Sequence, residues 1–329
     1  MICSYKIKGI KPNPKINTPC HFQILLSMLE YHKKNILPAL ISFTDLYCIR
    51  EGILASEVYE FRRLEDTYCQ SGISMTKVYF NNNTLTDIKN LLLQDIPVGF
   101  VIYKSFMKKF QREDTAERNT YHHLLIYGFD DKEKLFKTID HNHYNSFVYS
   151  YSTISYEEMD SFLNAFFMNN LSEKDKYVHY YYMNPAENLP MSEYELKSLY
   201  FNDFRKTNRQ TKNGLDCIGE FAEILKQTYN AGESCLDKLK GFYENILPIN
   251  NRKRLELLKF NLLFGTDFLI CQYQEEIINY FVALTCRIGR ILFYNKIQQD
   301  TFDRVYQYIK KIENIEKQIH FVILDESDK

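Results

Sequence analysis

The chain changes character at MNPAENLPMS, residues 183–192, and no other feature constrains its fold as much. Up to about residue 184, helix-like and strand-like segments alternate, whereas beyond Pro185 and Pro190 nearly everything has helical periodicity. With only 11 glycines and 8 prolines among 329 residues, little interrupts a helix once it has begun. Two parts follow, residues 1–184 and 185–329, each long enough for its own core.

In the first part, HFQILLSMLEYHKK (21–34), ILASEVYEFRRLEDTY (53–68) and TLTDIKNLLLQD (84–95) space their apolar residues as helices do. Strands are predicted at 77–80, 98–103, 122–129, 134–140, 146–151 and 178–183. Asp130 and Asp131 supply one turn and HNHYN (141–145) the next, so 122–151 reads as an antiparallel meander. Ser155 with Glu158 three residues on is a capping box. The first part is therefore an α+β domain on an antiparallel sheet.

The second part is all-helical, with GLDCIGEFAEILKQTY near its start and helices predicted over 233–246, 250–264, 267–297 and 299–315. The basic run Asn251-Arg-Lys-Arg254 reads as a solvated helix start.

Lysine plus arginine (41) almost cancels aspartate plus glutamate (42), so net charge offers no case for a nucleic-acid or membrane-surface partner. The N-terminus lacks an apolar run of signal-peptide length, and Pro12, Pro14 and Pro19 follow too soon for an anchor helix. A cytoplasmic protein is expected. Eight cysteines without a Cys-x-x-Cys pair argue against a zinc module or a disulfide framework. Cys217, Cys235, Cys271 and Cys286 fall in helical patterns and read as core residues.

Cys20 differs. It follows Asn17-Thr18-Pro19 and precedes an apolar helical run, where Asn17 or Thr18 suits the cap and Pro19 the first helical position. The thiol then lies in the first turn, where the helix dipole and unpaired N–H groups favour thiolate and offer donors to an oxyanion.

A base is available on the strand Tyr121-His122-His123-Leu-Leu-Ile-Tyr-Gly128. Side chains alternate, so only one of His122 and His123 can address a given cysteine, and parity alone leaves the choice open. The partner strand ends in Asp140, which the Asp130–Asp131 turn folds back toward both histidines. A carboxylate there orients an imidazole and stabilises its protonated form.

Cysteine at the first helix start, a histidine strand running into Gly-Phe-Asp, and an acidic residue ending the next strand resemble the papain-like cysteine enzymes. Within these, they look more like the bacteriocin-processing peptidases and the N-terminal domain family of butirosin biosynthesis protein H. The segment SYSTISYEEMDSFLNAF and the helical second part extend that likeness over most of the chain. The resemblance implies His122 as base, six positions before Gly128, with His123 as the alternative. It also marks a departure: Pro14 stands where papain-like enzymes carry an oxyanion-donating glutamine, leaving Asn17, Asn13 or Gln23 as substitutes.

The function implied is acyl transfer from a carrier-protein thioester, through a Cys20 acyl-enzyme, to an amine, as in thiotemplated antibiotic biosynthesis. The donor arrives as a phosphopantetheine thioester on an acyl or peptidyl carrier protein, and no further cofactor is implied. The helical second part is expected to cover the cleft and shape the amine pocket. The same residues also suit a cysteine peptidase or amidase, and the loss of the glutamine leaves room for a non-catalytic binding protein. Asp140, His141 and His143 form an Asp-His-x-His cluster, but these histidines occupy a turn and no third ligand outside the cluster is indicated, so no metal is expected.

Overall fold

The computed structural model describes residues 3–12, 20–62, 69–107, 121–141, 149–168, 179–185, 190–231 and 235–327. The chain divides into two compact units, Met1–Ile36 with Tyr68–Pro190, and Leu37–Thr67 with Met191–Lys329. The architecture is mixed α+β, with an antiparallel sheet in the first unit and a C-terminal helical region in the second.

The first unit is built on a seven-stranded sheet in the order β4-β9-β5-β6-β7-β8, with β1 also paired to β6. The strands are β1 (Ser4–Lys6), β4 (Ile73–Tyr79), β5 (Val98–Tyr103), β6 (Tyr121–Asp130), β7 (Leu135–His141), β8 (Tyr149–Ser155) and β9 (His179–Pro185). Every pairing is antiparallel. Helix α1 (Cys20–Tyr31) packs on β6, and eight consecutive residues from Phe22 to Leu29 are buried, as in a helix enclosed on all sides. Phe80, Phe100 and Phe162, the last on α4 (Tyr156–Met168), pack ring against ring, at 5.0 to 6.2 Å between centroids. Helix α3 spans Thr84–Leu92.

The first turn of the meander forms as its residues dictate, whereas 142–145 of the expected HNHYN turn lie outside the described residues. Asp130 Oδ1 accepts the N–H groups of Lys132 and Glu133 at 3.1 and 3.2 Å, closing the β6–β7 turn. At the head of α4 the capping box closes in both directions, with Ser155 N donating to Glu158 Oε2 at 2.9 Å and Glu158 N to Ser155 Oγ at 3.2 Å. The β6–β7 register shifts at a bulge between Ile126 and Gly128. Gly128 also sits so close to β1 that a Cβ there would lie 2.5 Å from the Tyr5 carbonyl oxygen.

The second unit departs from the sequence expectation. Residues 53–60 form a strand, not a helix: β2 (Phe43–Arg50) and β3 (Ile53–Glu60) make a hairpin with a ladder running from Phe43–Glu60 to Arg50–Ile53. The two-residue loop explains this. Glu51 and Gly52 both have positive φ, 53° and 75°, the condition for the tight turn whose twist matches a hairpin. Short α2 (Leu37–Leu40) precedes it. Helices α5 (Glu193–Lys206), α6 (Asn208–Asn230), α7 (Leu236–Phe264), α8 (Leu269–Tyr294) and α9 (Gln299–Ser327) complete the unit. Tyr47 and Leu54 of the hairpin enter the same core as Phe221, Phe242 and Phe281, so a single cut at 184 does not describe the chain.

Two further expectations change. The helices predicted over 233–246 and 250–264 are one, α7, which carries Pro248 inside it at the cost of a single backbone hydrogen bond. The basic run at 251–254 lies mid-helix and is not uniformly solvated. Lys253 is 2% exposed, with Nζ 2.8 Å from both Glu256 and Glu316, because α7 turns it inward onto two buried carboxylates. Helix α8 is long and apolar enough by composition to cross a membrane, and Ile277, Phe281, Leu284 and Ile288 on it are core residues here. Cys235 and Cys271 are buried as expected, whereas Cys217 is half-buried and Cys286 exposed.

Candidate active site

Cys20 is the first residue of α1 and is half-buried. Its cap candidates Asn17 and Thr18, together with Pro19, Asn13 and Pro14, lie outside the described residues. What brings a base to the sulfur is the packing of α1 on β6. His122, near the start of β6, is wholly buried.

Its Nε2 is 2.6 Å from Asp140 Oδ1, an oxygen that also accepts the His141 N–H at 2.7 Å. Continuing the Leu125–Ile139 register places Asp140 opposite Leu124, so it meets His122 diagonally on the same face. With Nε2 engaged by the carboxylate, Nδ1 is the ring nitrogen left to address Cys20.

Burial is the largest single influence on the Cys20 thiol and works against the thiolate. Hydrogen bonds from His122 and His21, with their charges, outweigh it and lower the thiol from 9.0 to about 5. For His122, burial again opposes the charge. The Asp140 carboxylate, followed by the sulfur, overcomes it and raises the imidazole from 6.5 to about 9. Between those values the two share one proton as thiolate and imidazolium.

His123 has another environment. Burial, then the neighbouring His21, His122, His179 and Lys77, hold it neutral, well below the usual histidine range. Its Nδ1 lies 3.5 Å from the Tyr181 hydroxyl, a long contact, and its ring is 5.8 Å from that of His21. Of the two histidines that strand parity left open, His122 is the one joined to both Cys20 and Asp140.

No protein-family model matches the chain, and no curated protein sequence matches it.

Gln23 is fully buried one helical turn from Cys20, which puts its amide on the same face of α1 as the thiol. Sequence reasoning passed over three neighbours. His21, the next residue in the chain, helps to lower the thiol. Tyr149 and Tyr181 are buried phenols, kept protonated first by burial and then by the nearby Cys20 charge. Adjacency alone would have found His21; the tyrosines carry no local signal, because strand pairing places them.

His141, expected in a turn, is on a strand. It is buried at the end of β7, its ring 4.6 Å from that of His122 and 5.5 Å from that of Tyr149. His143 lies outside the described residues. A metal-capable group does form among the described residues, from His122, Asp140 and His141, with one ligand atom from each within 4.8 Å of the others. The third ligand that the local sequence lacked comes from the neighbouring strand.

Proposed function

We propose that the chain is a papain-like cysteine acyltransferase that moves an acyl group from a carrier-protein thioester to an amine, forming an amide. The observation that carries this reading is Cys20 at the start of α1, its thiol lowered by His122, whose Nε2 is held by Asp140. Thioester donors suit such a site, since exchange onto a cysteine is nearly thermoneutral and a thiolate attacks without waiting to lose a proton.

In the first half-reaction, Cys20 Sγ bonds to the thioester carbonyl carbon and the carbon–sulfur bond to the carrier's phosphopantetheine breaks. The His122 imidazolium supplies the proton that the departing thiolate takes up. In the second, the amine nitrogen attacks the acyl-enzyme, its proton passes to the now neutral His122, and Cys20 leaves as thiolate. The proton inventory closes on the starting state. Asp140 keeps Nε2 protonated throughout, so Nδ1 is the nitrogen that cycles. The backbone N–H groups of the first turn of α1, with Gln23, are the candidate oxyanion donors.

Residues 1–36 and 68–190 would thus be a papain-like domain, its acyl donor on an acidic or neutral carrier partner in the cytoplasm, its pathway one of thiotemplated biosynthesis. Intact-mass analysis with an acylated carrier protein tests the reading. Wild type should gain the acyl mass and lose it to an added amine, while Cys20→Ala should not gain it. No gain in wild type, or equal gain in both, rejects the proposal. Loss of the mass to water at the same rate with and without amine replaces transfer by hydrolysis.

A further inference from the structure

Deepening that reading, we propose that the group His122, Asp140 and His141 is a binding site for a borderline-soft divalent cation, zinc in the first instance, whose occupancy silences Cys20. Three observations carry it. One ligand atom from each residue falls within 4.8 Å of the other two, a spacing a single ion can span. All three are buried, at 0%, 0% and 6% exposure, so the donors are held rather than dangling. The set is two imidazoles and a carboxylate, which zinc prefers and which leaves a fourth position open.

The chemistry of occupancy follows from the hydrogen bond it replaces. His122 Nε2 and Asp140 Oδ1 share a proton at 2.6 Å. The metal takes that proton's place between nitrogen and oxygen, and one proton per ion is released to solvent. His122 keeps its Nδ1 proton, but as a metal-bound neutral ring it is far too weak an acid to protonate a departing thiolate. The nucleophile survives and its acid is lost. Catalysis and metal binding therefore exclude each other.

Zinc and cobalt, added to the full chain, test this. Equilibrium dialysis with metal analysis should find one zinc per chain in wild type, with Cys20→Ala binding alike and His141→Gln or Asp140→Asn weakened at least about tenfold. Gln keeps most of the histidine volume, and circular dichroism checks that each variant is folded. Cobalt should show visible d–d bands without the near-ultraviolet thiolate charge-transfer band. No stoichiometric zinc, loss of binding in Cys20→Ala, or a thiolate band would each overturn the proposal. These readouts do not involve acyl transfer, so failure of the acyltransferase reading would appear separately, as a chain that binds zinc but never gains acyl mass.

Discussion

His122 Nε2 and Asp140 Oδ1 lie 2.6 Å apart although the two residues are not opposite each other on their strands. The β6–β7 register sets Asp140 against Leu124, and the diagonal offset carries its carboxylate back to the ring of His122. The turn at Asp130 and the bulge between Ile126 and Gly128 together decide which histidine meets the carboxylate, because without the extra residue Asp140 would face Leu125, on the side of His123.

The first prediction concerns the thiol. With Cys20 lowered to about 5, its thiolate is lost as pH falls through that value and complete well below neutrality. Iodoacetamide at pH 6 should label Cys20 ahead of the other seven cysteines, while Cys271, raised to about 11 by burial and then by Glu275, stays unlabelled. Peptide mapping of the labelled chain reads the order. In His122→Ala the labelling midpoint should move up toward 9.0; an unchanged midpoint would show that His122 does not support the thiolate.

Asp140→Asn removes the charge that raises His122. The imidazolium is present below about 9 and lost above it, so the alkaline limb of the acylation profile should start near there in wild type. In the variant that limb should move to lower pH, and the acylation rate at neutrality should fall by about a hundredfold or more. Single-turnover acylation across the pH range measures both.

Gly128→Ala should destabilise the first unit, because the new Cβ would meet the Tyr5 carbonyl oxygen at 2.5 Å and backbone cannot move aside as a side chain can. A loss of about 1–3 kcal/mol is expected, read as a lower denaturant midpoint. A midpoint unchanged from wild type would mean that β1 yields at no cost.

Lys253→Met tests the buried ion network of the second unit. Lys253 bridges Glu256 and Glu316, each at 2.8 Å, and Glu316 also accepts the Tyr47 hydroxyl at 2.5 Å. Removing the cation takes the charge partner from buried Glu316 and leaves Glu256 with the more distant Lys259 at 3.9 Å, which costs about 3–5 kcal/mol. Adding Glu316→Gln should recover part of that loss; if the double variant is no better than the single, the charges are not coupled.

Much of the first unit was legible locally. The turn at Asp130 and the Ser155–Glu158 box act through residues two or three positions apart, so their chemistry is written in adjacent letters. The hairpin at 43–60 was misread because Glu51-Gly52 is a weak turn signal and the following segment also satisfies helical spacing. Lys253 was misread for a different reason: its partner Glu316 lies 63 positions later, on α9.

By itself the sequence determined which groups were available and in what order: a cysteine opening an apolar helix, two adjacent histidines on one strand, and an aspartate ending the next. Strand alternation required that at most one of those histidines serve the cysteine. Only the tertiary structure decided that Asp140 meets His122, that His123 turns to Tyr181, that His21 and two tyrosines lie near the sulfur, and that His141 packs against the His122 ring. The reason is physical. A hydrogen bond or a desolvation effect depends on distances of a few ångströms, and such distances between residues on different strands are set by sheet register and by how a helix lies on the sheet.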